Sequence, residues 1–308
     1  MKPNIVVVGS SNTDMIIKIP RLPKPGETIL GGTFSMAAGG KGANQAVAAA
    51  RAGGEVTFVA RVGDDMFGKQ AREGFVRDAI NTRSVFTDPK AASGIALIFV
   101  DERGENSIAV ASGANAELTP TDVSQAKDAI TSADILLLQL EVPIPTVEAA
   151  VRLATEAGVR IILNPAPAQP LEGKMLSLVS IITPNETEAE LLTGIKISDG
   201  TSLTTAAERL LEKGVEKVII TLGARGAFLA DKHEERFIPS FKVNAVDTTA
   251  AGDVFNGALA VSLAEEKSLS DAVRFANAAA ALSVTRLGAQ PSAPFRDEIE
   301  EFLNRQNS

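Results

Sequence analysis

The stretch Val246-Asp247-Thr248-Thr249-Ala250-Ala251-Gly252-Asp253-Val254-Phe255-Asn256-Gly257 runs from a polar turn, through small side chains, into what reads as an amphipathic helix. Small residues let a ligand approach the backbone closely. The first turn of a helix offers unpaired N–H groups at the positive end of the macrodipole. Together these make a seat for an anion, most often phosphate. Asp253 adds a carboxylate to the same turn. It either stabilises the helix start or takes a proton from a hydroxyl that attacks the seated anion.

Other clusters carry complementary chemistry. In Gly9-Ser10-Ser11-Asn12-Thr13-Asp14, after the first apolar run, Asn12 and Asp14 could hold sugar hydroxyls or simply close an Asx-rich turn. Ala38-Gly39-Gly40-Lys41-Gly42-Ala43-Asn44-Gln45 opens a helix. Gly42 follows Lys41 where a P-loop needs Ser or Thr, and the dinucleotide spacing is also missing. Lys41 could neutralise a phosphate with Asn44 on the same side one turn on, or be a solvated lysine at a helix start. Leu138-Gln139-Leu140-Glu141 ends an apolar strand on a carboxylate. In Thr183-Pro184-Asn185-Glu186-Thr187-Glu188, Asn185 and Glu188 share a face and could anchor a hydrated Mg2+, although acidic residues suit a first turn anyway. Thr221-Leu222-Gly223-Ala224-Arg225-Gly226 is a strand-to-turn glycine pair suited to a nucleotide.

The elements that must position these clusters follow from periodicity. Apolar runs predict strands at 5–8, 56–60, 135–138, 160–163, 181–183 and 218–221. Amphipathic segments predict helices at 42–52, 68–78, 121–131, 145–157, 186–193 and 201–213, with further helices at 254–263, 269–285 and 293–303. This alternation implies an α/β fold with a mostly parallel central sheet covered on both faces. Two segments break the rhythm: 14–20 with 27–34, and 82–87 with 94–110, the latter turning at Asp101–Glu105. They read as short antiparallel strands, so a small β-sheet lid or interface is expected from insertions at about 14–35 and 82–111 of a single domain, 1–308.

Composition narrows the chemistry. Cysteine, Trp and Tyr are absent and His233 is the sole histidine, placed in a polar hairpin turn. Cys nucleophiles, disulfides and Cys or multi-His zinc sites are excluded, which leaves carboxylates, Lys/Arg, amides and backbone dipoles. With a net charge of −8 and no basic run, a nucleic-acid partner is not expected. No apolar stretch has the length of a membrane span, and residues 1–9 read as a buried strand rather than a signal peptide, so the expected location is cytoplasmic.

On these motifs the chain resembles the phosphofructokinase-B-type carbohydrate kinases, specifically those acting on ribose. The most specific blocks are Gly39–Ala46 and Val246–Asp253, with Asn164-Pro165-Ala166-Pro167-Ala168 and Thr183–Glu188 adding to them. The resemblance implies a three-layer sandwich with a projecting β-sheet lid that also joins a homodimer. It implies ATP-dependent phosphorylation of ribose at O5, with Asp253 as general base and Ala250, Ala251 and Gly252 as anion hole. Asn12, Thr13, Asp14, Gly40, Lys41, Gly42, Ala43, Asn44 and Glu141 would hold the sugar. ATP would lie against Asn185, Thr221, Leu222, Gly223, Ala224, Arg225, Gly226, Gly252, Asp253 and Asn277. Glu188 would order Mg2+ through water. An activating K+ would sit among Asp247, Thr249, Ser283, Arg286, Gly288 and Ser292, mostly on backbone oxygens. The rival readings are a kinase for 2-deoxyribose or another pentose, a non-catalytic sugar- or nucleotide-binding regulator, and a dehydrogenase, against which the missing dinucleotide fingerprint counts.

Overall fold

In the computed structural model, which describes residues 2–103, 105–171 and 173–306, two sheets organise the chain. The larger is built from β1 (Asn4–Val8), β4 (Glu55–Gly63), β5 (Val85–Asp88), β8 (Ile135–Leu138), β9 (Arg160–Leu163), β10 (Ile181–Ile182), β11 (Lys217–Thr221), β12 (Gly226–Ala230) and β13 (Glu235–Pro239). Its order is β13-β12-β11-β10-β9-β8-β1-β4-β5, parallel throughout except for the antiparallel β11-β12-β13 edge. The smaller sheet joins β2 (Asn12–Lys18), β3 (Thr33–Gly39), β6 (Gly94–Val100) and β7 (Asn106–Ala111) in the order β3-β2-β6-β7.

Strands β8 and β10 are apolar throughout, and β1 and β9 at every position after the first, because both of their faces are covered. Ile5, Val7, Ile135 and Leu137 point into one core, against helices Lys41–Arg51, Ala251–Ala264 and Leu269–Ser283. Val6, Val8, Leu136 and Leu138 point into the other, against helices Ile144–Glu156 and Gly200–Glu212. Since β1, β8, β9, β10 and β11 are parallel, the segments that follow them all emerge at one edge of the sheet. That edge is where an open α/β sheet binds ligands.

Several expectations need correction. The run at 82–87 is not part of the small sheet: β5 lies beside the far half of β4, pairing Val85 with Ala60 and Asp88 with Gly63. Val85 is buried there, an anchor in the main core that its short length concealed. The partner of β2 in the small sheet is Thr33–Gly39, later than the expected 27–34, and Gly104 of the expected turn lies outside the described residues. Nor is the sheet purely antiparallel: β2 and β6 are joined by a long crossover through the main sheet and pair in parallel. Helix Ala251–Ala264 is not amphipathic. Asp253 through Leu263 are all buried, because the helix is wedged between the sheet and two neighbouring helices. Gly257 permits this wedge: a Cβ there would lie 2.7 Å from Ala48 Cβ and from Gln45 O. The expected helix at 121–131 is divided into Pro120–Gln125 and Lys127–Thr131. His233 is exposed in the β12–β13 hairpin turn.

Candidate active site

The Asp253 carboxylate lies in the first turn of helix Ala251–Ala264 and is only 6% exposed. Its Oδ2 accepts from Asn44 Nδ2 and its Oδ1 from Gln45 Nε2, each at 3.0 Å. Burial pushes its carboxyl up in pKa, while the Lys41 charge and the two amide donors pull the other way. Ala250, which caps the helix, is held in the left-handed region at φ 59°, an unusual state for a residue with a Cβ. The Ala251 N–H closes a turn on Thr248 O at 3.3 Å, and Val254 N bonds back to Ala250 O at 2.9 Å. The first-turn amides between them, Gly252 and Asp253, have no carbonyl one turn back and face outward from the helix end.

Those amides open onto a cavity of about 810 Å3 lined by Lys41, Asn185, Glu188, Thr221, Gly223, Ala224, Gly226, Ala250–Asp253 and Asn277, among others. A Cβ on Gly252 or Gly223 would meet nothing within 4 Å, so both present bare backbone to this space. Leu222 instead packs into the core, and Arg225 reaches across the rim to pair with Glu186 at 2.5 Å. Asn277 Nδ2 donates to the carbonyls of Ile238 and Pro239, which leaves its oxygen as the side chain's free hydrogen-bonding group. Asn185 and Glu188 cap each other: Glu188 N donates to Asn185 Oδ1 at 2.8 Å and Asn185 N to Glu188 Oε2 at 2.9 Å. The second carboxylate oxygen of Glu188 is thus left over, and burial raises this carboxyl despite its bond to Asn185 N and the pull of Lys41.

On the other side of Asp253, three acidic groups surround Lys41. Burial works against the ammonium, and the charges of Asp253, Glu141 and Glu188 outweigh it, so its pKa lies above the ordinary value. Glu141 Oε2 accepts from the Lys41 N–H at 3.0 Å and from Ser10 Oγ at 2.5 Å, which caps the helix that Gly40 begins without a side-chain cap of its own. Asp14 is 8% exposed, and burial together with the Glu141 and Asp253 charges raises its pKa from 3.8 to about 6. Gly39 lies directly over it; a Cβ there would fall 2.3 Å from Asp14 Oδ2. Asn12, on the same face of β2, accepts from Asn115 Nδ2 at 2.7 Å. Strand alternation puts Thr13 on the opposite face, where it lines a second cavity with Met36, Phe67 and Gln70. Ala43 is in the main core with its N–H on Ser10 O at 2.8 Å, and Gly42 N lies 3.4 Å from Ser10 Oγ. These two residues fix the glycine loop rather than face the cavity.

The expected K+ residues fall in the turn before helix Ala251–Ala264 and along the segment from the end of helix Leu269–Ser283 to Ser292. Asp247 accepts from Thr249 N and Gly288 N, both at 2.9 Å, and despite burial these bonds hold its carboxyl below the usual range. The Arg286 guanidinium turns away to Glu298. Ser283 O takes the Arg286 N–H at 3.0 Å, and Ser292 Oγ donates to Ala289 O at 2.7 Å.

Sequence reasoning missed Gln45, Gln139, Asn164, Asn256 and Ser10 as site residues. Asn256 links Thr183 Oγ1, at 2.6 Å, to Gly252 O, at 2.8 Å, tying the outward-facing turn to the end of β10. Only their positions just past strand ends and inside quoted motifs could have flagged them.

Known proteins resemble this chain in sequence and fold. The chain is 49% identical over 303 residues to the ribokinase of Haemophilus influenzae, which covers 98% of this chain and 99% of that protein. It is 38% identical to a deoxyribokinase of Salmonella typhi, across 98% of this chain and 99% of that one. The structure of Arabidopsis thaliana ribokinase complexed with ribose and ATP superposes with a TM-score of 0.92 at 35% identity, over 98% of this chain and 99% of the other. Residues 2–296 match the profile of the pfkB family carbohydrate kinases, and the chain belongs to that family.

Proposed function

We propose that this protein transfers the γ-phosphoryl group of ATP to the 5-hydroxyl of ribose, as a single-domain enzyme. The observation that carries the reading is the buried Asp253 carboxylate. It is held by two amides at a helix N-terminus that opens onto a cavity large enough for a nucleotide. The similarity to ribokinases supports ribose over other sugars.

In this mechanism Asp253 accepts the proton as the sugar oxygen attacks phosphorus, the new O–P bond forms, and the bond to the departing ADP breaks. The Gly252 and Asp253 amides face the charge that develops on the transferred group, and Lys41 offsets it from the sugar side. Asp14, a buried carboxylate with its charge available, accepts from sugar hydroxyls. Asn44 Oδ1 is buried without a hydrogen-bond partner among the described residues and supplies another acceptor.

Glu188 suits a metal carried by the nucleotide: one carboxylate oxygen is free, burial raises its pKa, and a nearby cation would favour its charge. Mg2+ usually keeps several waters and takes only one or two protein oxygens, so one free carboxylate oxygen is enough to help hold it. Mg2+ bound there would withdraw charge from the phosphates. Asp247, which ties its own loop to Gly288, and the carbonyls of the adjoining turns are suited to hold K+ beside the anion seat.

The small sheet supports a homodimer. Its register lines up Phe34, Ile17 and Phe99 in one row and Met36, Met15 and Leu97 in the next, on the face away from Asp14. Phe34, Met36 and Leu97 are 59%, 49% and 46% exposed, an apolar face that a second copy would cover. No helix among the described residues is long and apolar enough to cross a membrane, and we place the enzyme in the cytoplasm.

The test is ATP consumption with ribose, 2-deoxyribose, fructose and adenosine, each with and without K+. Ribose-dependent turnover raised by K+ is the expected result. A preference for 2-deoxyribose would keep the mechanism and change the substrate. No turnover by folded protein with any of them would favour a binding protein instead.

A further inference from the structure

Gln45 is fully buried in helix Lys41–Arg51, and every polar atom of its amide has a partner. Its Nε2 donates to Asp253 Oδ1 and to Asn164 Oδ1, both at 3.0 Å, and its Oε1 accepts from Gln139 Nε2 at 2.5 Å. An amide in a protein can usually be turned over, exchanging donor for acceptor. This one is held in a single sense by chemistry further along. Asn164 Nδ2 donates to the backbone carbonyl of Thr183 at 3.1 Å. A carbonyl can only accept, so Asn164 must point its NH2 at Thr183 and its oxygen at Gln45. Gln45 must then answer with its own NH2, whose second hydrogen reaches Asp253. Gln139 Nε2 meets the Gln45 oxygen from the opposite side, but its own Oε1 is buried without a partner among the described residues, so the sense of the Gln45 amide is set through Asn164 and not by Gln139.

We propose that Gln45 is the positioning residue of the Asp253 carboxylate, locked in its donor orientation by a relay from the Thr183 carbonyl through Asn164. The inference rests on Asp253 being the general base. Gln45 and Asn44 occupy one lone pair on each carboxylate oxygen and so fix the plane of the group. Both donors also favour its ionised form, against burial. The charged groups facing Asp253 are Lys41 from the same helix as Gln45, Glu141 beyond β8, Asp14 on β2 and Glu188 on helix Glu186–Thr193. None of these is moved by substituting Gln45 with an uncharged residue of similar volume.

The experiment is steady-state kinetics of Gln45→Met across the acid limb of the pH profile, with ribose and ATP, next to Asp253→Asn. The expected result is a loss in kcat of about 10- to 100-fold, the scale of one hydrogen bond to a charged group. Ribose KM should change little, and the acid limb of kcat should move to higher pH. A wild-type kcat, or a loss accompanied by an unmoved acid limb, overturns the proposal. Asn164→Ala frees the Gln45 amide without removing it and should give the same pattern at smaller amplitude; it decides the matter should Gln45→Met not fold. Wild-type turnover by Asp253→Asn would overturn the reading of the base itself. An inactive Asp253→Asn beside a normal Gln45→Met would overturn only the relay.

Discussion

The two sides of the cleft are built by opposite means. On the side proposed for the sugar, Asp14, Asn44, Gln45 and Asp253 are buried side chains, and the last three are joined by amide hydrogen bonds at 3.0 Å. On the side proposed for the nucleotide, bare backbone at Gly223 and Gly252 and the first-turn amides form the floor, with the polar side chains of Asn185, Glu188, Thr221 and Asn277 around it and one ion pair at the rim. Rigid side-chain networks discriminate by leaving a polar group unpaired when the wrong hydroxyl arrives. Backbone cradles bind what all nucleotides share, and shape matters there more than side-chain identity. A substitution should therefore act through lost hydrogen bonds on one side and through added volume on the other.

The largest break is expected at the centre. Asp253→Asn should keep the shape of the site yet lower kcat by about 10²- to 10⁴-fold, the usual worth of a general base, with ribose binding retained. Equilibrium binding of ribose beside turnover measurements checks both halves of that statement.

Asp14 sharpens the comparison because its burial has a cost. Its pKa is raised from 3.8 to about 6, so the folded protein holds this proton more tightly than the unfolded chain. The stability linked to it is complete below pH 3.8 and is lost as the pH rises through about 6. At neutral pH Asp14→Asn should stabilise the sugar-free enzyme by up to about 3 kcal/mol, from two pKa units at about 1.4 kcal/mol each, while raising ribose KM steeply. Thermal unfolding of the variant alongside its kinetics would expose a missing rise in Tm. In the wild type, ribose KM should climb as the pH falls below about 6, where Asp14 takes up its proton.

Two glycines in one helix separate volume from hydrogen bonding. Gly252→Ala adds a methyl group that meets no protein atom within 4 Å, so the fold should be kept while ATP KM rises by about tenfold, roughly 1.4 kcal/mol of lost phosphate contact. Gly257→Ala forces a Cβ to 2.7 Å from Ala48 and Gln45 atoms, and should destabilise by about 1–3 kcal/mol. Comparison of Tm and ATP KM for the pair tests the distinction; equal Tm losses would contradict it. The smallest effect belongs to Arg225→Ala. Its ion pair with Glu186 is exposed on both sides, so the stability change should stay within about 1 kcal/mol and ATP KM should barely move.

The site was legible in the sequence where its chemistry is local. The turn into Asp253, the Gly39–Asn44 loop and the Asn185/Glu188 pair each announce themselves within a few residues. The Asn185/Glu188 pair nevertheless proved to be a capping box as well, so first-turn acidity and ligand chemistry share one motif. Glu141 read as a sugar ligand, yet one of its oxygens caps the helix at Lys41 from 100 residues away. The amide relay was invisible. Gln45 lies 94 residues from Gln139, 119 from Asn164 and 208 from Asp253, and an amide in a helix has no local signature of what it will meet.

By itself the sequence determined the kind of protein: unbroken apolar runs alternating with helices give a covered parallel sheet, and parallel strands bring the polar clusters that follow them to one edge. Cysteine absence and a lone exposed histidine confined the chemistry to carboxylates, lysine and backbone. Only the tertiary structure decided which sheet β5 joins, that helix Ala251–Ala264 is buried all round, and which way the Gln45 amide points. Periodicity reports how many faces of a segment are apolar, whereas the partner of a strand edge or an amide is set by packing between residues distant in the chain. The orientation of one buried amide, and with it the set of the Asp253 carboxylate, follows from a backbone carbonyl at Thr183 that can do nothing but accept.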